Sequence, residues 1–370
     1  MTVAPRERQL TGTAAGILDT VGRTPLVELN SLLPNFRGSI YGKLELLNPG
    51  GSIKDRSAIG MLQGMIESGE LIPGRSVIVE SSSGNMAVGL AQFCRYHDLR
   101  LICVVDSKTT HQNRAVLRAY GIELEVVTVP ASDSGGLLQA RKRRVREIVE
   151  SVPYAYNPDQ YANPLNPKTH ESTMAEIAAA LDGQVDYLFA PTGTTGTLNG
   201  CAAYIDAAGL DTVLVAVDAI GSVLYGLPPA PRLIPGHGAA DAPAILDRST
   251  PDRVVHVTDL DCVVGCRKLV DREAILAGGS SGAAVSALEW MADQIPAGAR
   301  CVLIFPDRGD RYLDTIYSDE WVAEHFGEVA HLWRRDAVRA SSLSTFDPQP
   351  TELASVPAGL EPTITHIGGA

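Results

Sequence analysis

Over most of the chain, short β-patterned runs alternate with helix-patterned ones, and the strand-to-helix junctions are rich in Gly, Ser, Thr and Asn. Residues 26–29, 39–46, 76–79, 101–105, 123–127, 187–190, 213–217, 254–257 and 300–305 read as strands. Residues 55–67, 85–97, 112–120, 136–151, 171–181, 198–208, 259–271 and 282–295 read as helices. Strands joined through helices run parallel, and a parallel sheet needs cover on both faces. The expected class is therefore α/β. A Pro/Asn-rich segment, 157–167, interrupts the rhythm and reads as a boundary or crossing.

Within that rhythm one junction stands out: NPGGSIKDRS, residues 48–57, with Lys54 near its centre. Asn-Pro-Gly-Gly-Ser is turn chemistry, and the Ser52 hydroxyl can cap the helix that follows. Lys54 then falls in the first helical turn, where the helix dipole repels a cation and lowers the amine's pKa. A less basic lysine is a better Schiff-base former and proton shuttle. A plain surface lysine beside a helix start explains this stretch equally well when it is taken alone.

Three further junctions carry polar groups into helix starts. ESSSGNM, residues 80–86, offers hydroxyls and backbone N–H groups suited to a carboxylate, or plain serine capping. TGTTGT, residues 192–197, can close on a phosphate, or be only a tight turn. It lacks the spacing and lysine of a P-loop and is not the dinucleotide glycine pattern, so its phosphate should belong to something other than ATP or NAD. AGGSSGAA, residues 277–284, places Ser280 and Ser281 at a helix start, where simple capping is the better account.

Composition closes off other classes. The 370 residues are 45% hydrophobic, enough for a sizeable core. A net charge of −12 argues against a nucleic-acid surface. RKRRVR, residues 141–146, is the densest basic run, and on a helix its charges point several ways, as on a solvated face. The six cysteines are scattered, and only Cys262 and Cys266 are close, with no His pair nearby, so no metal is expected. They read as core residues of a protein in a reducing cytoplasm. No apolar run approaches spanning length, and no membrane association is expected. Residues 341–370 are Pro/Ser/Thr-rich and read as disordered.

The four junctions in this order, with TVGRTP (20–25) and QYANPLNP (160–167), resemble the fold-type II enzymes of pyridoxal 5′-phosphate, in particular the cysteine synthase and cystathionine β-synthase group. The resemblance runs over about residues 17–321. It implies two open, twisted, mostly parallel sheets flanked by helices. It also implies a smaller α/β domain at 53–158 and a larger cofactor-binding domain at 17–52 and 159–330, between a flexible 1–16 and a disordered tail at 331–370. By position, Lys54 would hold the cofactor as a Schiff base, and Asn85 would bond its ring hydroxyl. Gly193, Thr194, Thr195, Gly196 and Thr197 would cradle its phosphate, and Ser280 would face its ring nitrogen. Ser82, Ser83 and Gln160 would bind the substrate carboxylate. Met86, in the same substrate-binding turn, stands where cysteine synthases usually carry threonine, and would line the substrate site with those residues. The implied partners are small amino-acid substrates and a second copy of the chain, as a homodimer.

Within the group, CVVDSKTT, AVDAIGSV, GCRKLVDREAILAGGS and PDRGDRYLDTIYSDEW resemble the N-(2-amino-2-carboxyethyl)-L-glutamate synthases of 2,3-diaminopropionate biosynthesis, which serve siderophore and antibiotic pathways. The resemblance implies joining O-phospho-L-serine to L-glutamate with release of phosphate. Two anionic substrates call for arginines. Arg141, after the Gly135–Gly136 turn, is the candidate, with Tyr161 lining the same pocket. Gly193 instead matches the cysteine synthases, which keeps sulfide open as the second substrate. Arg308 and Arg311 are explained equally by surface pairing with Asp307 and Asp310.

Overall fold

The computed structural model describes residues 13–107, 109–130 and 136–334. Expectations for 1–12, for Gly135 and for 335–370 lie outside the described residues. Residues up to Arg334 form one compact unit. In chain order its elements are β1 (Leu26–Glu28), β2 (Ser39–Lys43), α1 (Lys54–Glu67), β3 (Val77–Glu80), α2 (Asn85–Tyr96), β4 (Arg100–Asp106), α3 (His111–Ala119), β5 (Glu123–Val127) and α4 (Gly136–Ser151). They continue as β6 (Ala155–Tyr156), α5 (Leu165–Ala180), β7 (Tyr187–Pro191), α6 (Gly196–Ala208), β8 (Val213–Ala219), β9 (Arg253–Val257), α7 (Asp259–Glu273), α8 (Gly279–Met291), β10 (Arg300–Ile304) and α9 (Asp319–Phe326).

The strands form two sheets. One has the order β1-β2-β10-β7-β8-β9, and the other β5-β4-β3-β6. Every pairing is parallel except β1 with β2. The central strands are apolar on both faces, as a sheet covered on both sides requires: Leu101 to Val105 of β4 and Leu214 to Ala219 of β8 are all buried. The helices bury their apolar stripes against these sheets. In α1, Ala58, Met61 and Leu62 lie one turn apart and pack with Leu90 and Phe93 of α2. Thr258 and Asp261 close a capping box at the start of α7.

Several boundaries differ from the sequence expectation. The run at 39–46 is strand only to Lys43, and Glu45–Leu47 is a 3-10 turn, because Glu45 turns inward to a charged partner. Helix α5 starts at Leu165, not 171. Pro167 falls in its first turn, where a missing N–H costs nothing. Helix α8 starts at Gly279, and a 3-10 turn takes over at Ala292–Gln294. The tail placed at 331–370 begins too early. Ala330–Leu332 forms a 3-10 turn, and Trp333, 7% exposed, packs into the core. All six cysteines are free and buried.

One polar cluster ties the N-terminal segment to both halves. Arg56 of α1 donates through Nε and Nη2 to Glu45 at 2.7 and 2.8 Å, and through Nη1 and Nη2 to Glu176 of α5 at 2.8 and 2.7 Å. Lys43 Nζ reaches Glu176 at 2.6 Å. Thr24 and Asn48 donate to Glu45, and Arg23 N–H donates to Glu176. The TVGRTP and NPGGS stretches thus meet on the same charges, two residues from Lys54. Buried charges survive only when paired and hydrogen-bonded in this way.

Burial alone would raise the Glu176 pKa, but Arg56 and Lys43 overcome it and hold the carboxyl down at about 2. A depressed carboxylate contributes stability above its unfolded pKa and loses it as pH falls toward the folded value. Glu176→Gln should therefore cost about 2–4 kcal/mol in urea unfolding at pH 7. The two proteins should converge as pH is lowered from 4.5 toward 2.

Candidate active site

A small cleft opens among Lys54, Thr192, Gly193, Thr197, Ser280 and Pro306. It brings together three junctions that are far apart in sequence. Lys54 opens α1, and its N–H is capped by Ser52 Oγ at 3.2 Å. Burial lowers the Lys54 pKa, and the negative charge of Asp307 partly opposes that fall. On α5, His170 is kept neutral by its own burial and by the nearby Lys54 charge.

Across the cleft, Thr192 to Thr197 links β7 to α6. Thr195 takes a left-handed backbone (φ 66°), which turns the loop tightly into the helix. Its buried Oγ1 has no hydrogen-bond partner. Thr194 Oγ1 accepts from Gly196 N–H and from Asn166 Nδ2, both at 3.3 Å. Asn166 also donates to the Gln160 carbonyl at 2.8 Å and accepts from Ser57 Oγ at 3.0 Å. A Cβ on Gly196 would sit 2.6 Å from the Asn166 amide, so only glycine fits there. Small side chains, backbone amides, a hydroxyl without a partner and a helix start are what a phosphate needs.

Ser280, half-buried, is the second residue of α8 and enters the cleft from a third side. The chain after β10 joins this turn to the lysine turn. Ile53 N–H bonds the Pro306 carbonyl at 2.8 Å, and Arg308 N–H bonds Gly51 at 3.1 Å. On its other edge Gly278 N–H bonds Asp307 at 2.9 Å, and Gly309 N–H bonds Leu276 at 3.1 Å.

The remaining candidates lie around this centre. Asn85, at the start of α2, donates from Nδ2 to Asp307 at 2.8 Å and accepts from Arg311 at Oδ1. Ser82 is buried and Ser83 half-buried in the turn before it. Met86, 2% exposed, does not line the cleft and packs in the core with Ala58 and Leu90. Gln160 is buried, and its carbonyl is held by Asn166. Tyr161 is partly exposed, while its hydroxyl feels Glu80, Arg141 and Arg232. Arg141 is not on a solvated face. Its side chain is 16% exposed and lies 3.4 Å from Asp106, whereas Lys142, Arg143 and Arg144 pair with surface acids.

Surface pairing does not describe the other two arginines. Asp307 is 2% exposed, Arg311 holds Asn85 and the Gly50 carbonyl, and Arg308 holds the Leu46 carbonyl. Sequence reasoning also passed over Asn166, which joins α1, α5 and the 192–197 loop, and Glu80, whose carboxyl is pushed up to about 7 by burial and by Asp159. The QYANPLNP stretch contains Asn166 but carries no local sign of this task.

A scan against family models matches residues 17–307 to the family described as pyridoxal-phosphate dependent enzyme. The chain belongs to the pyridoxal-phosphate dependent enzymes. It is 43% identical, over 92% of its length and 99% of the relative's, to the N-(2-amino-2-carboxyethyl)-L-glutamate synthase of Ralstonia nicotianae. Solved structures of the same fold include an O-ureido-L-serine synthase, with TM-score 0.75 and 32% identity over 84% of this chain and all of the other. An O-acetylserine dependent cystathionine β-synthase from Helicobacter pylori matches with TM-score 0.75 and 32% identity, covering 83% of this chain and all of that one. The cleft of this pyridoxal-phosphate dependent enzyme fits its cofactor: an amine of lowered pKa, an anion cradle with the unpartnered Thr195 hydroxyl, and a neutral hydroxyl at Ser280.

Gly196→Ala should force the 192–197 loop and Asn166 apart. Overpacking of this kind costs about 1–3 kcal/mol. Equilibrium dialysis should show pyridoxal phosphate bound at least about fivefold more weakly, with the fold intact by circular dichroism.

Proposed function

We propose that this enzyme carries out β-replacement on O-phospho-L-serine with the amine of L-glutamate, giving N-(2-amino-2-carboxyethyl)-L-glutamate and phosphate for 2,3-diaminopropionate biosynthesis. The carrying observation is the 43% identity to a synthase of that name across 99% of its length. The partly buried Arg141, whose charge reaches the Tyr161 hydroxyl, supports it, since two anionic substrates need a cation out of bulk water.

In this reading Lys54 carries the cofactor covalently and Asn85 bonds its ring hydroxyl. Residues Gly193, Thr194, Thr195, Gly196 and Thr197 hold its phosphate, and Ser280 meets its ring nitrogen. When bound, pyridoxal phosphate supplies the electron sink that acidifies the substrate Cα proton. Lys54 Nζ takes that proton, which its lowered pKa permits at neutral pH. Ser82, Ser83 and Gln160 hold the substrate carboxylate. The Cβ–O bond breaks with its electron pair leaving on phosphate. The glutamate amine then forms a C–N bond at Cβ and loses a proton, and Lys54 returns a proton to Cα. Ser280 is neutral, so it stabilises positive charge on the ring nitrogen less than a carboxylate would. That favours loss of the β-substituent over transamination. Met86, set in the core, shapes this wall by packing.

We also propose the division into a smaller domain at 53–158 and a larger one at 17–52 and 159–330. The four-stranded sheet falls within the first and the six-stranded sheet within the second. Family resemblance supports a homodimer, and the six free cysteines suit the cytoplasm. Among the described residues no helix is long and apolar enough to cross a membrane.

Mass spectrometry of products from phosphoserine with glutamate or with sulfide tests the reading. The glutamate adduct is expected, and cysteine as the main product would favour a cysteine synthase. Lys54→Ala should abolish turnover. Arg141→Ala should raise the KM for phosphoserine or glutamate about tenfold or more, with little change in Tm. Unchanged kinetics would return Arg141 to a structural role.

A further inference from the structure

One buried acid has no task in the scheme above. Asp307 lies on the segment that joins the lysine turn to the serine turn, and its backbone pairs with both. Its side chain is 2% exposed. Oδ2 accepts from Asn85 Nδ2 at 2.8 Å and from Tyr312 hydroxyl at 2.7 Å. Oδ1 is buried with no hydrogen-bond partner. A Cβ on Gly278 would lie 2.0 Å from Oδ1, so the serine turn needs glycine to admit the carboxylate. Arg311 completes the unit by donating to Asn85 Oδ1 and to the Gly50 carbonyl.

This arrangement fixes which way the Asn85 amide points. Its oxygen is occupied by a cation and one amide hydrogen by an anion, which leaves the second hydrogen as the free donor. A carboxylate kept out of water also acts strongly on nearby charge. The backbone of Asp307 bridges Ser52, two residues before Lys54, and Ile53 N–H bonds the neighbouring Pro306 carbonyl, so Lys54 is the cation on α1 that this charge acts on.

We propose that Asp307 is a positioning residue of the cofactor site, orienting the Asn85 amide as a donor and, while Lys54 is joined to the cofactor, holding the nitrogen of that linkage in its protonated form by charge. The proposal rests on Lys54 being the cofactor lysine.

The other groups facing the pair leave Asp307 as the acid that sets this charge. Tyr312 and Cys266 are both pushed up by burial and stay neutral. His170, facing Lys54 from α5, is neutral as well. Asp55, raised to about 7 by burial, feels Arg311 and Arg308 and bonds Gly50 N–H. Burial is the largest influence on Asp307 and leaves its pKa raised, while the Tyr312 and Asn85 hydrogen bonds and the Arg311 and Lys54 charges oppose that rise in favour of the ionised form.

A pH titration of the visible cofactor absorbance in the holoenzyme tests this. Asp307→Asn keeps the shape and removes the charge, so the midpoint should fall by about one to two pH units. Arg311→Gln removes the opposing cation and should move the midpoint upward. A structural role alone would not produce shifts of opposite sign. An unmoved or raised midpoint in Asp307→Asn, or an unmoved or lowered one in Arg311→Gln, overturns the proposal. If Asp307→Asn does not fold, Arg311→Gln decides alone. Lys54→Ala separates the two levels. A visible band retained in that variant defeats the lysine assignment itself, whereas a band lost there but unmoved in Asp307→Asn defeats only the role of Asp307.

Discussion

An amine in the first turn of a helix, largely out of water, is held there against its own electrostatics. The helix dipole repels its charge, and desolvation penalises it further. Left alone, such a lysine would swing into solvent. Here Ser52 caps the turn, and the backbone at Gly51 and Ile53 is stitched to Arg308 and Pro306. Two residues on, Arg56 is locked between Glu45 and Glu176. The amine's position is fixed by a buried charge cluster that joins the residues around it in sequence to Thr24 and to Glu176 of α5.

That cluster gives meaning to stretches with no catalytic group. Thr24 and Asn48 converge on Glu45, Glu176 on Arg56, and Lys43 on Glu176. Asn166 plays the matching part on the other side of the cleft, where it touches Ser57 of α1 and Thr194 of the 192–197 loop. The lysine and the anion cradle are therefore registered to each other through α5. The segment after β10 then registers the serine turn to the lysine turn. Rigid elements positioned in this way let short polar loops act together.

Much of this was legible from local pattern. The period-2 and period-3.6 runs located nearly every strand and helix, because covered parallel strands are continuously apolar and their helices carry a stripe. The four polar turns that lead into helices were legible because Gly, Ser, Thr and Asn at a helix start have few other purposes in combination. What was not legible depends on contacts across the chain. Strand β6 has two residues and owes its existence to β3. Glu45 cuts short β2 because Arg56 waits for it. Asp307, Arg308 and Arg311 looked like surface charges, since Asp-Arg-Gly-Asp-Arg is indistinguishable from a solvated loop until its backbone is seen between two others. Met86, read as part of the substrate site, packs in the core, and its burial there depends on Ala58 and Leu90.

The central claim is that Lys54 is the residue carrying the cofactor. Borohydride reduction of the holoenzyme, followed by protease digestion and peptide mass mapping, tests it most directly. A single pyridoxyl-modified peptide with the mass addition on Lys54 is expected. Modification of another lysine, or no stable adduct in a protein saturated with pyridoxal phosphate, would contradict it.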